Sequence, residues 1–170
     1  MGKYIIAGLK TEFETRYDFL RERAKEYEAE FDSSEADIKI RLSDEYLEER
    51  KAEIPQMSMD RHEYFWTGQI FNSYLMDFNG VMIHSSCVEK DGYAYLFSAK
   101  SGTGKSTHTH LWLKNLEGTR IINDDKPALV LENGKWYACG TPFSGKTDEN
   151  VDVKVPIRAL VFLHRSEKNE

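Results

Sequence analysis

The stretch FSAKSGTGKST, residues 97–107, gives the strongest indication of the fold of this chain. An apolar, aromatic run from Tyr93 to Phe97 leads into it and predicts a strand, and the residues from Lys105 to Leu116 predict a helix. The turn between them fits the phosphate-binding pattern G-x-x-x-x-G-K-[ST], with Ala99 in place of the first glycine. Small residues in such a turn let successive backbone N–H groups converge on phosphate oxygens, and the helix N-terminus adds partial positive charge. The stretch therefore predicts a site for the phosphates of a nucleotide.

Each residue of this loop has an expected role. Lys105 is expected to reach the terminal phosphates of ATP, and the Ser106 hydroxyl is expected to hold Mg²⁺. The remaining positions would contact the phosphates; they are Ala99, Lys100, Ser101, Gly102, Thr103, Gly104 and Thr107. A glycine turn that precedes a helix by chance is the alternative. The strand before the loop, the helix after it and the intact Gly-Lys-Ser core favour nucleotide binding.

Two aspartates, Asp124 and Asp125, follow an apolar run at residues 120–122. Phosphoryl transfer needs a carboxylate near the metal ion, and often a second carboxylate to accept the proton of the attacking hydroxyl. We expect Asp124 to accept the proton and Asp125 to bind the metal together with Ser106. A polar turn is the alternative, and the position after a strand that follows the loop helix favours the functional interpretation.

Two further side chains are candidates for the same site. His84 lies in a predicted strand paired with the strand that feeds the loop, and spacing alone favours a half-buried strand histidine. Lys146 ends the glycine-bounded loop GTPFSGK, residues 140–146, where it would neutralise phosphate charge or simply belong to a connecting loop. His108 and His110 lie in the predicted loop helix but point to different faces, so we interpret both as structural.

Composition excludes several classes of protein. The 170 residues, 40% of them hydrophobic, suit one domain or a domain with an N-terminal appendage, and no apolar run is long enough to span a membrane. Cys87 and Cys139 lack the spacing of metal ligands, which predicts a reducing, cytoplasmic setting. The first sixty residues carry 10 Lys/Arg and 16 Asp/Glu (10 − 16 = −6), and the rest carry 13 of each, a balance of zero. Because the surplus acid lies away from the loop and no basic stripe exists, nucleic-acid binding is not expected.

The pattern along the chain predicts a mixed α/β fold. Helices are predicted over residues 17–31, 44–53, 60–78 and 105–116, and strands over 4–9, 37–42, 81–88, 93–97, 120–122, 127–131, 135–139 and 158–164, the last of them buried. Asp91-Gly92 and Asn133-Gly134 predict two tight hairpins. Because antiparallel pairs lie on both sides of the loop and its helix, we expect a mixed, partly antiparallel sheet and not a doubly wound parallel one.

From about residue 81 to its end, the chain resembles the superfamily of HPr kinase/phosphorylase and ATP-dependent phosphoenolpyruvate carboxykinase. More narrowly, it resembles the small HPr-kinase-like proteins of bacteria. The segments that carry the resemblance are IHSS at residues 83–86, the loop with its flanks at 97–108, INDDKP at 122–127 and GTPFSGK at 140–146. Residues 1–80 match only as a variable N-terminal α+β portion, so we expect two parts, 1–80 and 81–170.

The resemblance implies an ATP- and Mg²⁺-dependent kinase that phosphorylates a serine hydroxyl of a protein or peptide. It implies that His84 lies near the transferred phosphate and that the aspartate pair supplies the base and the metal carboxylate. Relatives continue with further C-terminal helices and a signature that holds HPr, so the resemblance implies a shortened C-terminus here and puts HPr in doubt as the substrate. HPr kinases are hexamers, which implies a homo-oligomer. The direction of transfer stays open, because relatives also run phosphorolysis.

Two other functions stay open at this point. A nucleotide-binding module without catalysis would act as a sensor or as part of a larger assembly. A carboxykinase-type enzyme would phosphorylate a small acid, but such enzymes carry a large separate substrate domain, for which 170 residues leave little room.

Overall fold

A computed structural model describes residues 1–166 of the chain. The contacts divide the chain into two compact units, Met1–Val81 and Met82–Glu170. Within the described residues, no helix is both long and apolar enough to cross a membrane.

The first unit combines a small sheet with three helices. Its strands are β1 (Gly2–Ile6), β2 (Leu9–Phe13) and β3 (Ile38–Ile40), and its helices are α1 (Asp18–Ala24), α2 (Asp44–Glu53) and α3 (Met59–Leu75). The sheet has the order β1-β2-β3, with β1 antiparallel and β3 parallel to β2. The Ser43 hydroxyl accepts the Tyr46 backbone N–H at 3.1 Å and caps α2, which begins and ends at the predicted residues.

Two predictions in this unit are wrong. The predicted strand 4–9 is the middle of a hairpin, because Ala7 and Gly8 both have positive φ, 54° and 84°, and turn the chain back on itself. The predicted helix 17–31 is shorter than expected. It ends at Ala24 and continues only as a 3₁₀ turn, Lys25–Tyr27, after which Ala29 bonds to the edge of β1 through the Lys3 carbonyl.

The second unit is built on a seven-stranded sheet, whose first strand begins two residues before the boundary at Met82. Its strands are β4 (Gly80–Met82), β5 (Ser85–Lys90), β6 (Tyr93–Ser98), β7 (Arg120–Asn123), β8 (Ala128–Glu132), β9 (Lys135–Cys139) and β10 (Lys154–Phe162), in the order β4-β8-β9-β10-β6-β5-β7. β10 runs parallel to β6, whereas β5–β6, β5–β7, β8–β9 and β9–β10 are antiparallel. The predicted mixed sheet is therefore confirmed, as are the hairpin turns at Asp91-Gly92 and Asn133-Gly134.

The sheet differs from prediction at two strands. The predicted strand 81–88 is interrupted at Ile83-His84, so that β4 and β5 are separate and His84 lies just outside β5. The predicted buried strand 158–164 begins earlier, at Lys154, and one of its faces is exposed: Leu160 and Phe162 keep 43% and 65% of their surface accessible.

Helix α4 (Lys105–Asn115) covers part of the sheet and fixes the loop that precedes it. Trp112 on α4 packs on a core of Val88, Phe97 and Ile121, and its ring centroid lies 5.4 Å from that of Phe97. The turn between β6 and α4 is therefore held at both of its ends, by strand pairing and by helix packing.

Candidate active site

The loop between β6 and α4 has the backbone conformation that its glycines allow. Gly102 and Gly104 have φ values of 75° and 113°, in the left-handed region that other residues rarely adopt. Gly104 is the residue before the first turn of α4, so the free N–H groups of the helix begin directly after it. The Lys105 side chain is almost fully buried, and its Nζ donates to the Ala99 carbonyl at 3.1 Å. The loop thus folds around its own lysine.

A cavity of about 510 Å³ lies against this loop. It brings together most of the residues predicted from the sequence. Its lining consists of Ser101, Gly102, Gly104, Lys105, Ser106 and Thr107 from the loop, His84, Asp124 and Asp125, and Ser144, Gly145, Lys146 and Thr147 from the segment after β9. The other predicted loop residues, Ala99, Lys100 and Thr103, line a different cavity.

Asp124 is buried beside the loop and accepts hydrogen bonds on both of its carboxylate oxygens. The Ser86 hydroxyl donates to Oδ1, and the Thr147 hydroxyl donates to Oδ2 at 3.0 Å. Ser86 lies 2.9 Å from the Thr109 hydroxyl of α4, so a chain of hydroxyl groups connects Asp124 to the loop helix. The side chain is thereby held in one orientation with only 7% of the residue exposed.

Asp125 has a different environment. Its side chain is 30% exposed, and its Oδ1 lies 3.4 Å from Nε2 of His84. Burial raises the pKa of Asp125 above its ordinary value, and the nearby His84 and lysine charges only partly oppose this. Gly145 packs directly on it: a Cβ atom added there would lie 2.7 Å from the Asp125 Cβ. The two adjacent aspartates therefore differ in exposure and in hydrogen bonding.

The remaining predicted residues are Lys146 and the side chains that could bind a metal ion. Lys146 lies at the cavity with an exposed side chain. Residues 1–166 contain no group of three or more His, Cys, Asp or Glu side chains that could hold a metal ion by themselves. Mg²⁺ in proteins is typically held by one or two protein oxygens together with water and substrate phosphates. Ser106 and the two aspartates share the cavity and fit that donor set.

Several polar residues of the site were not predicted from the sequence. Asn123 is fully buried; its Oδ1 accepts the backbone N–H of Asp125 (3.0 Å) and of Lys126 (2.7 Å), and its Nδ2 donates to the Thr141 carbonyl. It therefore fixes the chain that carries both aspartates to the segment after β9. Ser86 has a sequence signal, because it is a polar residue within a predicted strand. Thr147 gave no sequence signal, because its role depends on a long-range contact.

The histidines of α4 take different positions. The His108 ring lies over Phe97 and accepts a hydrogen bond from the Trp112 indole. The His110 ring has its Nδ1 2.6 Å from the Ser106 carbonyl and its Nε2 3.1 Å from Glu149 Oε1. These acceptors, the Ser106 carbonyl first, raise the pKa of His110. His110 thus joins the loop helix to the segment that carries Lys146 and Thr147.

We compared the chain with known proteins by sequence and by structure. The sequence matches no family model and no curated protein. Among solved structures, it is similar to the Hpr(Ser) kinase/phosphatase from Coxiella burnetii, with 17% sequence identity and a TM-score of 0.41. The match covers 52% of this chain and 62% of that chain, so it spans less than two thirds of that protein. The likeness concerns the fold alone.

Proposed function

We propose that this chain is an ATP-dependent kinase that transfers the γ-phosphate of ATP to a serine hydroxyl of a protein or peptide. The observation that carries this proposal is the 510 Å³ cavity, in which the glycine-rich loop and its buried lysine face two adjacent carboxylates of unequal environment. Anion-binding and proton-accepting groups are both needed for phosphoryl transfer to a hydroxyl, and they lie here around one space.

The loop would bind the phosphates. The free N–H groups at the start of α4 and the backbone of the left-handed loop supply donors for phosphate oxygens. Lys105 gives up its bond to the Ala99 carbonyl in this proposal and donates to the terminal phosphates. Because Lys105 is almost fully buried, a phosphate oxygen is a better acceptor for its ammonium group than the neutral Ala99 carbonyl is. A hydrogen bond between two oppositely charged groups is the stronger of the two.

We assign the metal to Ser106 and Asp124. Their oxygens are hard ligands of the kind that Mg²⁺ prefers, and the hydroxyl donors on Asp124 fix the orientation of its carboxylate. Mg²⁺ bound there would offset negative charge on the phosphates.

We assign the proton transfer to Asp125, which reverses the roles expected from the sequence. Both carboxylate oxygens of Asp124 are already occupied by hydroxyl donors, whereas Asp125 has a raised pKa and a more exposed carboxylate. A carboxylate with a raised pKa is the better acceptor for a serine proton. His84, 3.4 Å from Asp125, would orient this carboxylate, and the exposed Lys146 would balance charge on the transferred group.

We place this activity in the cytoplasm, where ATP is available. Cys87 and Cys139 are both free thiols, in keeping with a reducing compartment. The two alternative functions make different predictions. A non-catalytic module would bind nucleotide without turnover, and a carboxykinase-type enzyme would require a small acid as the acceptor.

The test is calorimetry with Mg·ATP on three proteins: wild type, Lys105→Ala and Lys114→Ala, an exposed lysine at the other end of α4. We expect wild type and Lys114→Ala to bind alike, and Lys105→Ala to lose about 100-fold in affinity, because it removes a buried cation from an anionic ligand. Transfer of ³²P from ATP to serine-containing peptides then separates a kinase from a binding module. Equal binding by all three proteins would contradict the phosphate site.

A further inference from the structure

We propose that a second cavity, of about 460 Å³, binds the nucleoside end of the triphosphate, with Phe162 as the surface on which the base stacks. This inference rests on the proposed function, because it takes the phosphates to lie in the 510 Å³ cavity. It assigns a role to residues that neither the sequence motifs nor the phosphate site account for.

The two cavities share one loop. Ser98–Lys100 and Thr103 line the second cavity, whereas Ser101, Gly102 and Gly104 line the first. A ligand whose phosphates lie along this loop therefore has a second space within the same turn. The remaining wall of that space is Phe162–Arg165, the end of β10 and the residues that follow it.

The strand topology places Phe162–Arg165 at the carboxyl end of a parallel strand pair, a common place for ligands to bind. β10 runs parallel to β6, with Val161 opposite Phe97 and Phe162 opposite Ser98. The pairing continues past the strand end, where the Leu163 N–H donates to the Ser98 carbonyl at 2.9 Å. In open α/β sheets, ligands bind in the crevice outside the carboxyl ends of parallel strands. The phosphate loop leaves one of these two ends, and Leu163–Arg165 leave the other.

The lining has the chemistry of a nucleoside site. Phe162 keeps 65% of its surface accessible although it lies at the wall of a cavity, so its packing within the unit does not explain its position. An aromatic face is a stacking surface for any base. Thr103 and His164 offer hydrogen-bonding groups for the base and for the ribose hydroxyls. Lys100 adds a cation to the same lining.

Arg165 links the two cavities. Its Nη2 donates to the Gly102 carbonyl, and Gly102 lines the phosphate cavity while Arg165 lines the nucleoside cavity. The wall that would hold the base is thereby attached to the loop that would hold the phosphates. A nucleoside bound against this wall would favour the loop conformation that binds the triphosphate.

The experiment compares Mg·ATP with Mg·tripolyphosphate, which has the phosphates but no nucleoside. We expect Phe162→Ala to lose roughly 10-fold in affinity for Mg·ATP, because a stacking surface is removed, and to keep its affinity for tripolyphosphate. Leu160→Ala is the matched control: Leu160 is an exposed residue of the same strand that does not line the cavity. It should bind both ligands as wild type does. Phe162→Trp should bind Mg·ATP at least as tightly as wild type.

The outcomes separate this inference from the proposed function. Unchanged Mg·ATP binding by Phe162→Ala, or equal losses for both ligands, overturns the nucleoside site and leaves the phosphate site standing. Wild-type protein that binds ATP no more tightly than tripolyphosphate has the same consequence. Wild-type protein that binds neither ligand overturns both proposals. Because Phe162 is exposed, Phe162→Ala should unfold at the wild-type temperature, which circular dichroism checks.

Discussion

The two units bury charged side chains in different ways. In Met1–Val81, the buried Glu63 carboxylate accepts the backbone N–H groups of Arg16 at 2.7 Å and Tyr17 at 3.2 Å. In Met82–Glu170, Lys105 and Asp124 are buried against a cavity that they also line. Glu63 completes the hydrogen bonds of the chain just before α1, which is a contribution to folding. Lys105 and Asp124 also line a cavity, so in the proposed function their burial serves binding.

This difference predicts that variants of the second unit change function and variants of the first change stability. The largest effect is expected at Asp125. Asp125→Asn should lower phosphoryl transfer by about 10²–10⁴-fold, the usual contribution of a positioned general base, and leave Mg·ATP affinity nearly unchanged. Steady-state transfer assays and calorimetry measure the two quantities. Asp124→Asn should instead weaken Mg²⁺-dependent ATP binding, and full transfer by Asp125→Asn would show that the assignment to Asp125 is wrong.

The next effect is expected at Gly145. A Cβ in Gly145→Ala would meet the Asp125 Cβ at 2.7 Å and must displace it, and a displacement near 1 Å can cost roughly 100-fold in rate. Gly134→Ala is the matched control, because its φ of 74° equals the 75° of Gly145 within a degree and nothing lies within 4 Å of the added atom. Both variants should lose stability in urea because of the positive φ, Gly145→Ala the more because of the clash, and only Gly145→Ala should lose transfer. Equal transfer rates for the two would refute the tight packing on Asp125.

A third effect belongs to the first unit. Glu63→Ala leaves two partly buried backbone N–H groups without their acceptor, which should lower the free energy of unfolding by about 2 kcal/mol. Urea titration followed by circular dichroism measures this, with the exposed Glu48→Ala as control. Below the denaturing concentration, Glu63→Ala should bind Mg·ATP as wild type does. Loss of Mg·ATP binding by folded Glu63→Ala would contradict the prediction that variants of the first unit change stability alone.

The smallest effect is a pH dependence of stability. Burial raises the pKa of Glu63 above its ordinary 4.5, although the two backbone N–H groups oppose the rise. A raised folded-state pKa gives stability that is complete below pH 4.5 and is lost as the pH rises through the folded value. Relative to Glu63→Gln, wild type should therefore gain stability as the pH falls from 7 towards 4.5. Urea midpoints of both proteins at several pH values test the direction; a constant difference would argue against it.

Much of the fold was predictable because local patterns were strong. Ser43 capped a helix at the expected residue, and Asn133-Gly134 and Asp91-Gly92 made the expected hairpins, since each depends on a few neighbouring residues. The Ala7-Gly8 turn was missed because alanine is a poor predictor of positive φ. The break at His84 gave no turn signal, because neither glycine nor proline lies there, and only pairing with different neighbours separates β4 from β5.

The loop and its helix could be predicted from the residues alone, because left-handed glycines, a lysine and a helix start are local features that a short pattern specifies. The different surroundings of the two aspartates depend on the tertiary structure. Ser86 and Thr147 reach Asp124 from 38 and 23 residues away, and Gly145 packs on Asp125 from the same distant segment. Adjacent residues with identical side chains cannot be told apart by composition or spacing. Their exposure and hydrogen bonding depend on which distant groups the fold places beside each one.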